Sequence, residues 1–159
     1  MQQIAHKKDI PTELTVKIEK LSNLGFGIAR VIGTDSQNHS ETKIVTVIAI
    51  TCESHGGIYF YEVNYLNRID NVRQKLFTET GMSIDVADKI LSVMENNNRY
   101  EELFNAATFT IHVDAGRSDK GKTKDLIPAI VGWVRSVGYE YEIKPDSFVS
   151  STIADRISK

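Results

Sequence analysis

Two aspartates stand where a sheet could bring them together around a cation. Residues Gly27 to Asp35 form a glycine-punctuated apolar run that ends in Asp35, and Phe109, Ile111 and Val113 alternate with Thr110, His112 and Asp114. Each pattern predicts a strand that closes on a carboxylate. One strand-end aspartate says little, because turns favour Asp for local hydrogen-bonding reasons. Two say more. If the two strands are parallel neighbours, their C-terminal ends open together, where α/β sheets place ligands. Adjacent carboxylates repel, and a divalent cation is the natural group to hold them together. His112 shares a face with Asp114; it reads first as a structural histidine and second as a group that orients a carboxylate or water. Cys52, His39 and His55 read as structural or solvent-exposed.

A second chemical pattern lies just downstream. Gly116 to Thr123 matches G-x-x-x-x-G-K-[ST], follows a predicted strand and opens a predicted helix, which alone would suggest a nucleotide phosphate loop. The context disfavours an ATPase. Thirty-six residues follow Thr123, room for one more strand and two helices, with no later apolar strand ending in Asp to hold the nucleotide's magnesium. The loop keeps a meaning without ATP: Arg117, Lys120, Lys122 and Lys124 fall within eight residues, at a helix N-terminus beside the acidic pair, and can grip backbone phosphate. The plainer alternative is a solvated basic turn.

Positioning these groups requires a particular order of elements. Residues 11 to 24 read as a helix, with Pro11 in its first turn, Leu14, Ile18 and Leu21 at helical spacing and Gly25 after its end. The strand to Asp35 follows, and Ser36 to Ser40 read as a polar hairpin connection. Lys43 to Cys52 is almost continuously apolar and β-branched, which predicts a central strand covered on both faces. After Gly56 and Gly57, Tyr59, Tyr61, Val63 and Tyr65 alternate with Ile58, Phe60, Glu62 and Asn64 in a third strand of a meander. A helical pattern from Ile69 to about Asn96 is interrupted at Gly81, with Ser83 as an N-cap for Ile84, Ala87, Leu91 and Met94; it predicts two helical pieces or one kinked helix. The Asp114 strand comes next. Leu126 to Val137 then predict a helix closed by Gly138, Tyr139 to Ile143 an edge strand, and Ser147 to Lys159 a final short helix.

The bulk numbers bound the class of protein. A chain of 159 residues with 41% apolar content builds one domain with one core, here a core over 27–159 preceded by a helical extension over 1–26. The longest apolar run, Ile44 to Ile50, is far short of the ~20 residues of a membrane helix, and the N-terminus lacks a signal-peptide apolar segment. One cysteine excludes an internal disulfide and a cysteine-rich zinc site. The expectation is a cytoplasmic protein with no membrane association. Nineteen basic against twenty-one acidic residues give a net charge of -2, so nucleic-acid binding would need a local basic patch. Oligomeric state is left open.

The strand order together with Gly33 to Gln37, His112 to Gly116 and Lys144 to Asp155 resembles the RNase H-like superfamily. More closely, it resembles the small bacterial and phage family of predicted RNase H-like nucleases of unassigned function. The resemblance covers about residues 28 to 159. It implies an α/β, three-layer fold: a five-stranded mixed sheet, made of a three-strand antiparallel meander plus two parallel strands, flanked by helices. It also implies that Asp35, Glu79, Asp114 and Asp155 bind two Mg²⁺ or Mn²⁺ ions. Glu79 is taken for the helix glutamate because Lys75 to Thr80 resembles the family's stretch; Glu95, Glu101 and Glu102 stay open as alternatives. Two such ions would activate a water on one side of phosphorus and stabilise the leaving oxygen on the other, and hard oxygen ligands suit them. The implied activity is metal-dependent hydrolysis of nucleic-acid phosphodiesters. RNA, DNA, hybrid and branched substrates all remain open. The alternative is a non-catalytic nucleic-acid-binding or assembly module on the same fold.

Overall fold

A computed structural model describes residues 2–4, 16, 28–52, 56–96, 109–113 and 124–143. Its strands are β1 (Gln2–Ile4), β2 (Ile28–Asn38), β3 (Glu41–Cys52), β4 (Gly56–Asn67), β5 (Thr110–Val113) and β6 (Glu140–Ile143). Among the described residues two α-helices, α1 (Val72–Glu95) and α2 (Ile127–Ser136), accompany them, with a short 3₁₀ turn, Lys124–Leu126, ahead of α2.

The apolar, β-branched run of β3 lies inside the sheet, whose order is β1-β4-β3-β2-β5-β6. Every residue from Ile44 to Ile50 is buried, as a strand covered on both faces requires. β2, β3 and β4 form the antiparallel meander, and β5 and β6 add in parallel. The five strands read from the sequence are present in the expected order. The N-terminal segment supplies a sixth, β1, which pairs in parallel with Ile58–Phe60 of β4 at the opposite edge from β6.

Strand alternation sorts the meander into two faces. Ile32, Ile48, Ile50 and Phe60 meet Leu76, Ile84, Ala87 and Ile90 of α1 and Ile130 and Val134 of α2 in the main core. At about 1.5–3 kcal/mol per fully buried aliphatic side chain, this layer is the chief stabilising term. The other face carries a smaller apolar group, Val45 and Val47 with Tyr59, Tyr61 and Val63, matching the alternation in the sequence.

Two expectations change. Asp35 does not end its strand: β2 continues through Asn38, in register with β3 to Asn38↔Thr42. The polar residues after Asp35 can extend the strand because the connection to β3 is only His39 and Ser40, and the side chains of Ser36 and Asn38 find partners. The Gly81 interruption is no break either. α1 is one helix of 24 residues, capped by Asn71, whose Oδ1 accepts from Gln74 N at 2.9 Å. Gly81 is the place where the Trp133 ring approaches the helix. Gly138 closes α2 as read, at φ 95°, with its N–H donating to Arg135 O at 3.0 Å. The helices expected over 11–24, where only Val16 is described and is helical, and over 147–159 lie outside the described residues.

Candidate active site

The upper end of β2 presents side chains to both faces of the sheet. Thr34 and Ser36 point to α1: Ser36 Oγ donates to Glu79 Oε1, and Thr34 Oγ1 lies 2.7 Å from Ser83 Oγ and 3.1 Å from Thr46 Oγ1. Asp35, between them, faces the other way. It sits opposite Val45, which belongs to the apolar group on the far face, and it is half-buried.

The two contacts between β2 and α1 are rungs of one ladder. Moving from Ser36 to Thr34 descends two strand residues, about 6.6–6.8 Å, while moving from Glu79 to Ser83 descends one helical turn of four residues, about 6 Å. Strand and helix run in opposite senses, so the two spacings match. Glu79 is 9% exposed and Thr34, Ser36, Thr46 and Ser83 are buried. Four hydroxyls and a carboxylate are therefore set into a mainly apolar layer.

A clamp of polar bonds fixes the hairpin above this ladder. Thr42 Oγ1 donates to Asn38 Oδ1 at 2.7 Å and accepts from Ile69 N at 2.8 Å, while Asn38 Nδ2 donates to Ile69 O at 2.9 Å. Arg68 donates to His39 O and pairs with Asp70 at 2.7 Å. The β2–β3 turn is thereby tied to the segment that starts α1. The exposed Arg68–Asp70 pair itself contributes little, about 0–1 kcal/mol.

β5 lies beside β2 in parallel, with Gly33 level with His112, the neighbour relation that the acidic pair required. His112 is buried, and its Nε2 lies 3.2 Å from Glu142 Oε2 on β6. That contact fits the structural reading of His112. Asp114, Asp155, Arg117, Lys120 and Lys122 lie outside the described residues, as does the side chain of Lys124, whose backbone begins the 3₁₀ turn. Among the described residues no three His, Cys, Asp or Glu side chains come together as a metal site. Trp133 stacks on Phe77, with centroids 5.8 Å apart, and Arg73 lies 5.4 Å over the Phe77 ring; the tryptophan packs α2 on α1.

Thr34 and Ser36 were not singled out in the sequence as site residues, and Ser83, read there as an N-cap, lies inside the continuous α1 instead. Their signal was there: Thr34 and Ser36 alternate with Asp35, and Glu79 and Ser83 are four apart on the helix face that also carries Leu76, Ile84, Ala87 and Ile90.

Comparison with known proteins agrees with this architecture. A family model described as Ribonuclease H-like matches residues 12–159. A Bacillus subtilis (strain 168) protein designated "Uncharacterized protein YkuK" is 33% identical over 159 residues, spanning 96% of this chain and 90% of its own length. No solved structure gives a significant match. The chain belongs to the RNase H-like family. No helix among the described residues is long and apolar enough to cross a membrane.

Proposed function

We propose that the protein is a metal-dependent nuclease that hydrolyses nucleic-acid phosphodiesters, with Asp35 and Asp114 as the central ligands of Mg²⁺ or Mn²⁺ and Glu79 and Asp155 completing the set. The observation that carries the reading is the parallel pairing of β2 with β5. If the register Gly33↔His112 continues two residues further, positions 35 and 114 stand side by side on one face. Membership of the RNase H-like family supports the reading.

The opposite facing of Asp35 and Glu79 sets where such a site would be. Described pairing of β5 with β2 ends at Gly33. Beyond it, carboxylates from both faces of β2 can converge around the strand's β5-side edge. Oxygen donors of this kind fit a hard divalent ion that keeps water in its shell. When bound, the ions supply water activation and leaving-group stabilisation. The chain's own part is to hold the carboxylates, through the strand pairing and the Ser36–Glu79 contact, and to bind the substrate backbone. For that binding, Arg117, Lys120, Lys122 and Lys124 supply the local positive charge that a net charge of -2 does not.

The test incubates purified protein with labelled single-stranded, duplex, hybrid and branched nucleic acids in Mg²⁺, Mn²⁺ or EDTA, beside Asp35→Asn and Asp114→Asn. Cleavage that requires metal and disappears in both variants supports the nuclease. Binding without cleavage would replace it with a non-catalytic nucleic-acid-binding or assembly module.

A further inference from the structure

We infer that Ser36 is a positioning residue for Glu79, and that the Ser36–Glu79 and Thr34–Ser83 rungs lock α1 in register with β2 so that this carboxylate is presented at the β2 edge. The inference rests on the proposed metal role of Glu79 and adds a residue to it.

Three features of the molecule lead there. First, the hydroxyls occupy positions that apolar side chains could fill. The strand below them continues with Ile32, and the helix continues with Ala87 and Ile90, all buried in the main core. Replacing a pair of mutually bonded polar groups by apolar ones of similar shape is close to neutral for stability, so the ladder is not explained by stability alone. Second, the Ser36 hydroxyl donates to one named oxygen, Oε1. A directional bond to one carboxylate oxygen fixes the rotation of the whole group, as outer-shell partners do for metal ligands. Third, the second rung lies one helical turn below the first. A helix held at two points cannot slide along the strand, so the height of Glu79 relative to Asp35 is set by the fold. Thr80 shows the contrast: its buried hydroxyl bonds to Leu76 O of its own helix at 2.9 Å and holds nothing on the sheet.

The experiment measures Mn²⁺ binding by calorimetry, and the Mn²⁺-induced rise in melting temperature, for wild type, Ser36→Ala, Ser36→Thr, Thr80→Val and Asp35→Asn. Ser36→Ala is expected to weaken Mn²⁺ by about 10–100-fold, the usual cost of losing an outer-shell partner, with a metal-free melting temperature lowered by a few degrees because one donor to a buried carboxylate is lost. Ser36→Thr, which keeps the hydroxyl, should recover most of the affinity, and Thr80→Val should bind as wild type. Should Ser36→Ala fail to fold, Ser36→Cys keeps the volume with a weaker donor and carries the same expectation at smaller size. Wild-type affinity in Ser36→Ala combined with loss in Asp35→Asn would overturn the positioning role while leaving the metal site intact. Equal losses in Ser36→Ala and Thr80→Val would overturn it in favour of general packing. Absence of Mn²⁺ binding in the wild type would overturn the metal reading and this inference together.

Discussion

The Trp133 ring meets α1 at Gly81: a Cβ built on that glycine would lie 3.2 Å from the ring's Cη2 atom. The distance is tighter than ordinary van der Waals contact, and it explains a glycine in the middle of a long helix. Alanine at an exposed helix interior is favoured over glycine by about 0.8–1.0 kcal/mol. Here the ring must yield a few tenths of an ångström. Gly81→Ala should therefore gain less than this propensity term, or nothing. In a Trp133→Leu background, where the ring is gone, the same change should recover the full gain. Urea denaturation of the four proteins closes the double-mutant cycle; equal effects of Gly81→Ala in both backgrounds would show that the ring does not constrain this position.

Asp35→Asn and Asp114→Asn should fold normally without metal, because removing one charge from the proposed carboxylate cluster would relieve repulsion. Both should lose the Mn²⁺-dependent stabilisation, which for an intact site amounts to about 2.7 kcal/mol at a hundredfold excess over Kd. Thermal melts with and without Mn²⁺ read this directly. An undiminished shift in both variants would place metal binding elsewhere.

Tyr139 donates its hydroxyl to Asp88 Oδ1 at 2.7 Å. Burial first, and then the bond to and the negative charge of Asp88, push its pKa well above the ordinary value of 10.0. In the unfolded chain this phenol loses its proton near pH 10, while the folded protein retains it. Above that pH the folded state binds more protons than the unfolded state, so stability falls as pH rises. Tyr139→Phe should cost about 0.5–1.5 kcal/mol at neutral pH for the lost bond. It should also fall less steeply than wild type above pH 10. Parallel slopes for the two proteins between pH 9 and 11 would contradict the assignment.

Replacing Lys120 and Lys122 together should weaken nucleic-acid binding to a similar degree across sequences. The slope of log K against log salt should flatten by about 0.7–0.9 for each lost phosphate contact. Fluorescence anisotropy at several salt concentrations measures it; an unchanged slope would put the binding surface away from this loop.

The legibility of this chain followed the range of the forces involved. Alternation of Tyr59, Tyr61 and Val63 with Phe60, and the apolar run of β3, reported local burial, and both were readable. The parallel neighbour relation of β2 and β5 followed from the element order. The course of β2 past Asp35 was not readable, because Ser36 and Asn38 are turn-favouring residues whose extended conformation depends on Glu79 and Ile69, distant in sequence, as well as on Thr42 across the turn. For the same reason the sides of β2 on which Asp35 and Glu79 lie were not legible; the continuous register through Asn38↔Thr42 and the Ser36–Glu79 contact show that they flank the strand from opposite sides. Gly81 misled because its partner, Trp133, lies 52 residues away. A helix breaker and a glycine that makes room for a ring look alike in one dimension.

The meander and the parallel strands differ in how much chain must be closed to form them. β2 meets β3 across His39 and Ser40, and β4 follows β3 after three residues, whereas β5 reaches β2 only after the whole of β3, β4 and α1 has been made. Short-range pairings close with little entropy loss and long-range ones wait for the contacts that reward them. The order of assembly that follows is hairpins first, then α1 across them, then β5. Pulse-labelling hydrogen exchange should accordingly show protection of β3 and β4 before β5, and simultaneous protection of all three would refute this order. On the ribosome, the strand that leads to Asp114 emerges after the meander is already out, so the hairpins can form early while the edge proposed to hold a cation is completed only later.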